Sequence, residues 1–208
     1  MIEISQPFLG LITAVSIGYL LGSLPVAARV SRRQGVDIFS AGTQLAGASN
    51  VRKNVGNRSG AFVLSADIAK GMFAMFSARA LGVEGDWVLL PAAATVLGHW
   101  NSVFTGFRGG DGMGPLGGIT VALFPVAGFV GVAAAMVVAL GGQRMPYTSL
   151  LSIVVGYVTI GALNYAFFGD ISLTLGVSGL GLLVLAHASL GHRRRRRADE
   201  WSLIDERD

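Results

Sequence analysis

Six apolar segments stand out along the chain, at 7–28, 60–81, 87–105, 115–140, 147–168 and 171–190. As helices, each is long enough to cross a hydrocarbon core that needs about 20 residues. Between the first two lies 29–59, which is polar, basic and rich in Gly, Ser and Asn, and reads as a long loop rather than a span. Arg29, Arg32, Arg33, Arg52, Lys53 and Arg58 sit around this first loop and Arg108 in the third, whereas the second loop, 82–86, holds Glu84 and Asp86 and no base. The positive-inside bias therefore places the first and third loops in the cytoplasm and the N-terminus outside. Six simple crossings would leave the C-terminus outside too, in conflict with His192 and the run Arg193–Arg197. A re-entrant or double-crossing hairpin over 113–140, turning near Pro125, removes the conflict and brings Arg144 and the arginine run inside. Halves that short are tolerated only when buried against other helices. The predicted fold is an all-α integral membrane protein of about seven transmembrane or re-entrant helices, N-terminus outside and C-terminus cytoplasmic.

Composition agrees with that pattern. Of 208 residues 52% are hydrophobic and only 13% charged, and the mean hydropathy is +0.60. Such values exclude an ordinary soluble domain. The net charge of +4 does not indicate nucleic acid, because the bases cluster beside apolar spans. With no cysteine there is no thiol nucleophile, disulfide or Cys-based metal site. The acidic N-terminus reads as a retained first span rather than a cleaved signal. Residues 1–192 are expected to form one membrane domain, followed by a basic and then acidic cytoplasmic tail at 193–208.

Several polar features need a chemical reason. The stretch Gly106–Gly118 is dense in glycine, which can crowd backbone N–H groups around an anion such as phosphate, yet it carries Asp111. Asp67 and Lys70 fall one helical turn apart inside an apolar segment. They read either as a mutual ion pair or as Lys70 facing a cytoplasmic anion site. His99 and His187 lie near span ends, as packing residues or proton carriers. No Ser-His-Asp or His-x-x-x-His spacing suggests a hydrolase triad or a zinc site. The first loop opens at Gly22-Ser23-Leu24-Pro25 and continues through hydroxyls, Asn50 and two bases, a composition fit for a second anion surface.

Taken in order, YLLGSLP at 19–25, GVDI at 35–38, GTQLAGASNV at 42–51, DIAKG at 67–71 and GHWNSVFTGFRGGDG at 98–112 resemble the bacterial acyl-phosphate:glycerol-3-phosphate acyltransferases, the PlsY family. The resemblance runs over roughly residues 15–125, with fainter echoes at 147–153 and at His187. It implies a small seven-helix enzyme of the bacterial inner membrane, with its active site formed by cytoplasmic loops. Such an enzyme moves a fatty acyl group from acyl phosphate to glycerol 3-phosphate, giving lysophosphatidic acid, with no metal or organic cofactor and no nucleic-acid partner. Carried over residue by residue, Ser23, His99 and Arg108 are the expected catalytic positions. Gly47, Asn50, Lys53, Lys70, Gly109, Gly110, Gly112 and His187 are the expected substrate contacts.

The departures from the family pattern are concentrated in the polar loops. GSGN becomes Gly42-Thr43-Gln44-Leu45, Phe-Pro after the histidine segment becomes Asn101-Ser102, and the second lysine of GFKGGKG becomes Asp111. Near the C-terminus RHRxN keeps only His187. An Asp beside a bound phosphate is worth about 4 kcal/mol of repulsion at 4 Å. The leading expectation is a working acyltransferase with a rebuilt loop. The alternatives are a non-catalytic relative that binds lipid or a partner, and a small transporter using Asp67 or Asp111.

Overall fold

A computed structural model of the chain describes residues 6–141, 148–168 and 171–205. The expected cytoplasmic position of Arg144 lies outside the described residues. All regular elements among them are helical: α1 (Gln6–Ser23), α2 (Val26–Arg33), α3 (Ala48–Asn54), α4 (Asn57–Ala80), α5 (Leu89–Trp100), α6 (Met113–Leu123), α7 (Pro125–Gly141), α8 (Thr148–Phe168) and α9 (Ser172–Asp205). Short 3₁₀ turns occupy Gly85–Val88 and Val103–Thr105. Stretches at Phe8–Arg33, Asn57–Ala80, Leu150–Phe167 and Ser172–Leu190 are long and apolar enough to cross a membrane, and α6 and α7 are shorter apolar helices.

Two breaks shape the molecule. Pro25 disfavours helical geometry at Leu24 and lacks its own N–H, so α1 stops at Ser23 and α2 starts beyond the proline. Phe124, with φ −126° and ψ 74°, interrupts the fourth apolar segment, and Pro125 opens α7 with its fixed φ. The segment expected at 115–140 is therefore two helices that separate near Pro125. α6 packs against α4, whereas α7 packs against α8. The stretch 29–59 departs from the plain loop expected, because it contains the end of α2 and all of α3. The polar face of the short amphipathic α2 and the side-chain hydrogen bonds of Asn50 organise that stretch, so its average polarity hid both helices.

Backbones approach closely because small residues line the contacts, as expected where packing rather than water drives association. A Cβ on Gly18 would lie 2.6 Å from the Pro91 carbonyl oxygen, and one on Gly98 would press on the Tyr19 carbonyl. Gly22 meets the Thr95 carbonyl in the same way, so α1 and α5 share a glycine seam. Gly71 and Gly118 do the same between α4 and α6, against Pro115 and Ile68. Around these seams the main apolar core gathers Ala14, Met75, Val96, Ile119, Ile160 and Val177. A smaller core of Ala27, Ala28, Ile38, Ala46, Val51 and Val63 lies under the first loop and holds it on α4.

Candidate active site

At the end of the bundle where α1, α4 and α5 meet the two polar loops, a narrow cleft of about 20 Å³ is lined by Ser23, Lys70, His99, Arg108, Gly109 and Gly110, together with residues 24–28, Phe39 and Ser102. Four separate elements supply the six. Ser23 is the last residue of α1, and the proline break leaves its carbonyl without a helical partner. Ser102 Oγ donates to that carbonyl at 2.5 Å, and Ser23 Oγ points to the Gly98 carbonyl at 3.3 Å. Lys70, on α4, is buried, and its Nζ donates to the Leu24 carbonyl at 2.6 Å and to Asp67 Oδ1 at 2.7 Å. An ammonium has three donors, so one remains for the cleft. Both sequence readings of Asp67 and Lys70 are thus present together: they pair, and Lys70 also lines the cleft. His99 Nδ1 stands 3.9 Å from the same Asp67 oxygen, an electrostatic contact longer than a hydrogen bond.

The glycine loop serves the site in a different way from the one its composition suggests. Positive φ occurs at Gly106, Phe107 and Gly112, whereas Gly109 and Gly110 have none. Those two are glycine because their backbone lies against His99 and Trp100. A Cβ on Gly109 would sit 2.6 Å from the Trp100 carbonyl oxygen, and one on Gly110 would press on the His99 imidazole and sit 2.8 Å from the Ala46 carbonyl oxygen. The contact is sealed by Gly110 N–H to the His99 carbonyl at 3.0 Å and by Ala46 N–H to the Gly109 carbonyl at 3.0 Å. The first and third loops are therefore one assembly closed around His99.

Asp111 does not line the cleft. Its Oδ1 accepts the Met113 N–H at 3.0 Å at the start of α6, and its carbonyl accepts Trp100 Nε1 at 2.8 Å. A carboxylate at a helix N-terminus satisfies an orphan donor and meets the positive end of the dipole. Arg108 does not pair with it. The guanidinium instead lies 4.5 Å over the Phe39 ring, a cation–π contact, while its Nε donates to the Thr105 carbonyl at 3.5 Å. On the same rim, the Phe39 N–H holds the Asp37 carboxyl below the ordinary carboxylate value, helped by Ser40.

The other expected contacts lie outside the lining. Asn50 is buried under the first loop, its Nδ2 donating to the carbonyls of Ile38, Ala41 and Leu45 and its Oδ1 accepting from Thr43 N–H and Asn54. One amide thus fixes the whole turn over 38–45. Gly47 starts α3 beside Asp111, and Lys53 is exposed in the last turn of that helix. Gly112, at φ 91°, leads into α6 against Trp100. His187, on α9, stacks on Trp100 with ring centroids 4.2 Å apart and so braces the loop from behind. Groups not among the expected site residues also support the cleft. Ser102 joins Ser23 to the 3₁₀ turn it caps, Asp67 holds Lys70, and the Leu24 carbonyl tethers the ammonium. A serine placed to cap the turn after α5 was the available signal for the first of these.

The comparisons with known proteins are consistent among themselves. The family model described as glycerol-3-phosphate acyltransferase matches residues 12–196. Glycerol-3-phosphate acyltransferase 1 of Deinococcus radiodurans is 41% identical over 115 residues, 55% of this chain and 58% of that protein. The glycerol-3-phosphate acyltransferase of Rubrobacter xylanophilus is 40% identical over 146 residues, 70% of this chain and 71% of that one. The crystal structure of the integral membrane acyltransferase PlsY in its glycerol 3-phosphate form superposes with a TM-score of 0.72 at 25% identity, covering 90% of this chain and 92% of that one. Its lysophosphatidic acid form gives 0.70 over the same coverage. An all-helical membrane bundle with its polar loops closed over one cleft, matched by the family model over most of its length, has one reading: the chain belongs to the glycerol-3-phosphate acyltransferase family.

Proposed function

We propose that this protein transfers a fatty acyl group from acyl phosphate to glycerol 3-phosphate, releasing phosphate and lysophosphatidic acid. The observation that carries the reading is the single cleft in which Ser23, Lys70, His99, Arg108, Gly109 and Gly110 converge. A glycerol 3-phosphate hydroxyl attacks the acyl carbonyl carbon, the new ester C–O bond forms, the anhydride C–O bond breaks, and the hydroxyl proton ends on the released phosphate. The donor is already activated, so the protein's work is to position two anions and stabilise developing charge. Lys70 and Arg108 supply the cations for the phosphates. Ser23 Oγ and the Gly109 N–H, which has no acceptor among the described residues, supply neutral donors for the acyl oxygen. His99 receives and passes on the hydroxyl proton. Asn50, Gly47, Gly112 and His187 act by holding the two loops, and Lys53 draws anionic substrate toward them.

The topology belongs to the same proposal: about seven transmembrane or re-entrant helices, the N-terminus outside, and the cleft, Arg193–Arg197 and the 193–208 tail on the cytoplasmic side of a bacterial inner membrane. The basic first loop and the break at Pro125 support it. The non-catalytic reading loses one of its motives, because the Asp111 carboxylate accepts the Met113 N–H at the start of α6 and the cleft retains its cations. Protein reconstituted in lipid is expected to release phosphate from palmitoyl phosphate only when glycerol 3-phosphate is present. Ser23→Ala, Lys70→Met and Arg108→Ala should each lower that rate by about 100-fold. No release across a panel of donors and acceptors refutes the activity, and full rates in all three variants refute the site.

A further inference from the structure

The loop that follows α5 exposes three large apolar side chains within five residues: Val103 at 46%, Phe104 at 53% and Phe107 at 65%. They are held outward by a built turn. The Ser102 carbonyl accepts the N–H groups of both Thr105 (3.1 Å) and Phe107 (2.9 Å), and Ser102 Oγ accepts that of Phe104. Phe107 has φ 61°, directly after Gly106 at 64°. A bulky residue in left-handed geometry is rare and is retained only where the surroundings impose it. Here a phenyl ring is kept in an unfavourable backbone conformation while two thirds exposed among the described residues. Exposed apolar positions also continue on either side, at Leu90 and Leu97 on α5 and at Met113 on the first turn of α6. Along the chain, the exposed apolar positions of the loop thus run on from those of α5 and into those of α6. Arg108, next in sequence, turns the other way into the cleft.

We propose that Val103, Phe104 and Phe107 form an interfacial wedge that seats in the bilayer at the boundary of headgroups and acyl chains, holding the glycine loop and the mouth of the cleft at lipid level. Aromatic side chains favour this depth, where an apolar ring meets lipid and the adjoining backbone meets headgroups and water. Tyr19 lies at the same level, its hydroxyl donating to the Asn101 carbonyl at 2.8 Å. The wedge would let a lipid-dissolved donor present its polar end to Arg108 without leaving the membrane.

The chain contains no cysteine, so a nitroxide on a single introduced cysteine reports one site without background. Val103→Cys, Phe104→Cys, Leu97→Cys and Gln34→Cys would be labelled in vesicles of phosphatidylethanolamine and phosphatidylglycerol. Collision with oxygen and with a water-soluble nickel chelate then gives depth. Labels at 103 and 104 are expected to resemble Leu97 in favouring oxygen and to differ from the exposed Gln34. Labels at 103 and 104 that match Gln34 overturn the proposal, and would leave a protein partner as the occupant of the patch. A second arm, resting on the acyl-phosphate reading, uses Phe104→Ser with Phe107→Gly, the latter suited to the left-handed backbone. KM for palmitoyl phosphate in vesicles should rise by about fivefold or more while turnover of water-soluble butyryl phosphate is kept. Equal loss on both donors overturns the wedge. The depth measurement needs no catalysis, so it fails or succeeds independently of the proposed reaction.

Discussion

Removing Asp67 should unfold the site while removing Asp67 and Lys70 together should not, and the contrast tests how the cleft is built. Their oxygen and nitrogen are 2.7 Å apart, with side chains 4% and 5% exposed. At an effective dielectric of about 20 the attraction at that distance is about 6 kcal/mol. Desolvating two ions costs several kcal/mol each, so the pair as a whole gains little over two apolar side chains. Stranding one ion is different. Asp67→Leu leaves the Lys70 ammonium with the Leu24 carbonyl as its hydrogen-bond partner among the described residues, and loss of one member of a buried pair costs about 3–5 kcal/mol. For a chain of this length that is a fall in melting temperature of about 10 °C. The double variant Asp67→Leu with Lys70→Met should melt within a few degrees of the parent and release no phosphate. Thermal unfolding in detergent, followed by tryptophan fluorescence, and the phosphate-release assay in lipid read the two effects separately. A single Asp67→Leu variant as stable as the parent, or a double variant that turns over at the parental rate, would refute the reasoning.

Gln44 has φ 56°, so Gln44→Gly should raise stability by about 1 kcal/mol, measurable as a higher melting temperature. Gly110→Ala would put a methyl group against the His99 ring and the Ala46 carbonyl, and activity should fall by at least about 100-fold with the helical content unchanged by circular dichroism. Asp111→Lys should lower stability by roughly 1–2 kcal/mol, through loss of the Met113 cap and a reversed charge at the start of α6, yet keep activity within a few-fold. A total loss of phosphate release with normal melting would return Asp111 to the cleft.

Much of this was legible in the sequence, for reasons that can be assigned. Pro25 after Gly-Ser-Leu fixed the end of α1 and so the place of Ser23, and Pro125 inside an overlong apolar segment fixed the break between α6 and α7. Lys70 and His99, ionisable groups in apolar surroundings, each allowed a pairing or packing role beside a functional one, and both line the cleft. What composition hides is which group a polar residue faces. Asn50 has the chemistry of a ligand contact, yet its amide is engaged by three carbonyls of its own loop. Glycine has two uses that look alike in a sequence: Gly106 and Gly112 turn the chain, whereas Gly109 and Gly110 make room for His99 and Trp100. Asp111 looked like a charge reversed beside a phosphate because its linear neighbours line the cleft, and only the direction of the backbone shows its carboxylate turned toward α6. The departure from glycine at Gln44 falls on a left-handed position, a strain no hydropathy pattern reveals.

The brevity of two helices bears on how the cleft is anchored. α5 has 12 residues and α6 has 11, so at 1.5 Å per residue they extend about 18 and 16 Å, against about 30 Å for a hydrocarbon core. Each leans on a longer neighbour instead, α5 along the glycine seam of α1 and α6 along that of α4. The loop between them, which carries the cleft's arginine and its paired glycines, is moored at both ends by those seams. A methyl group added to either seam would therefore loosen the cleft along with the bundle.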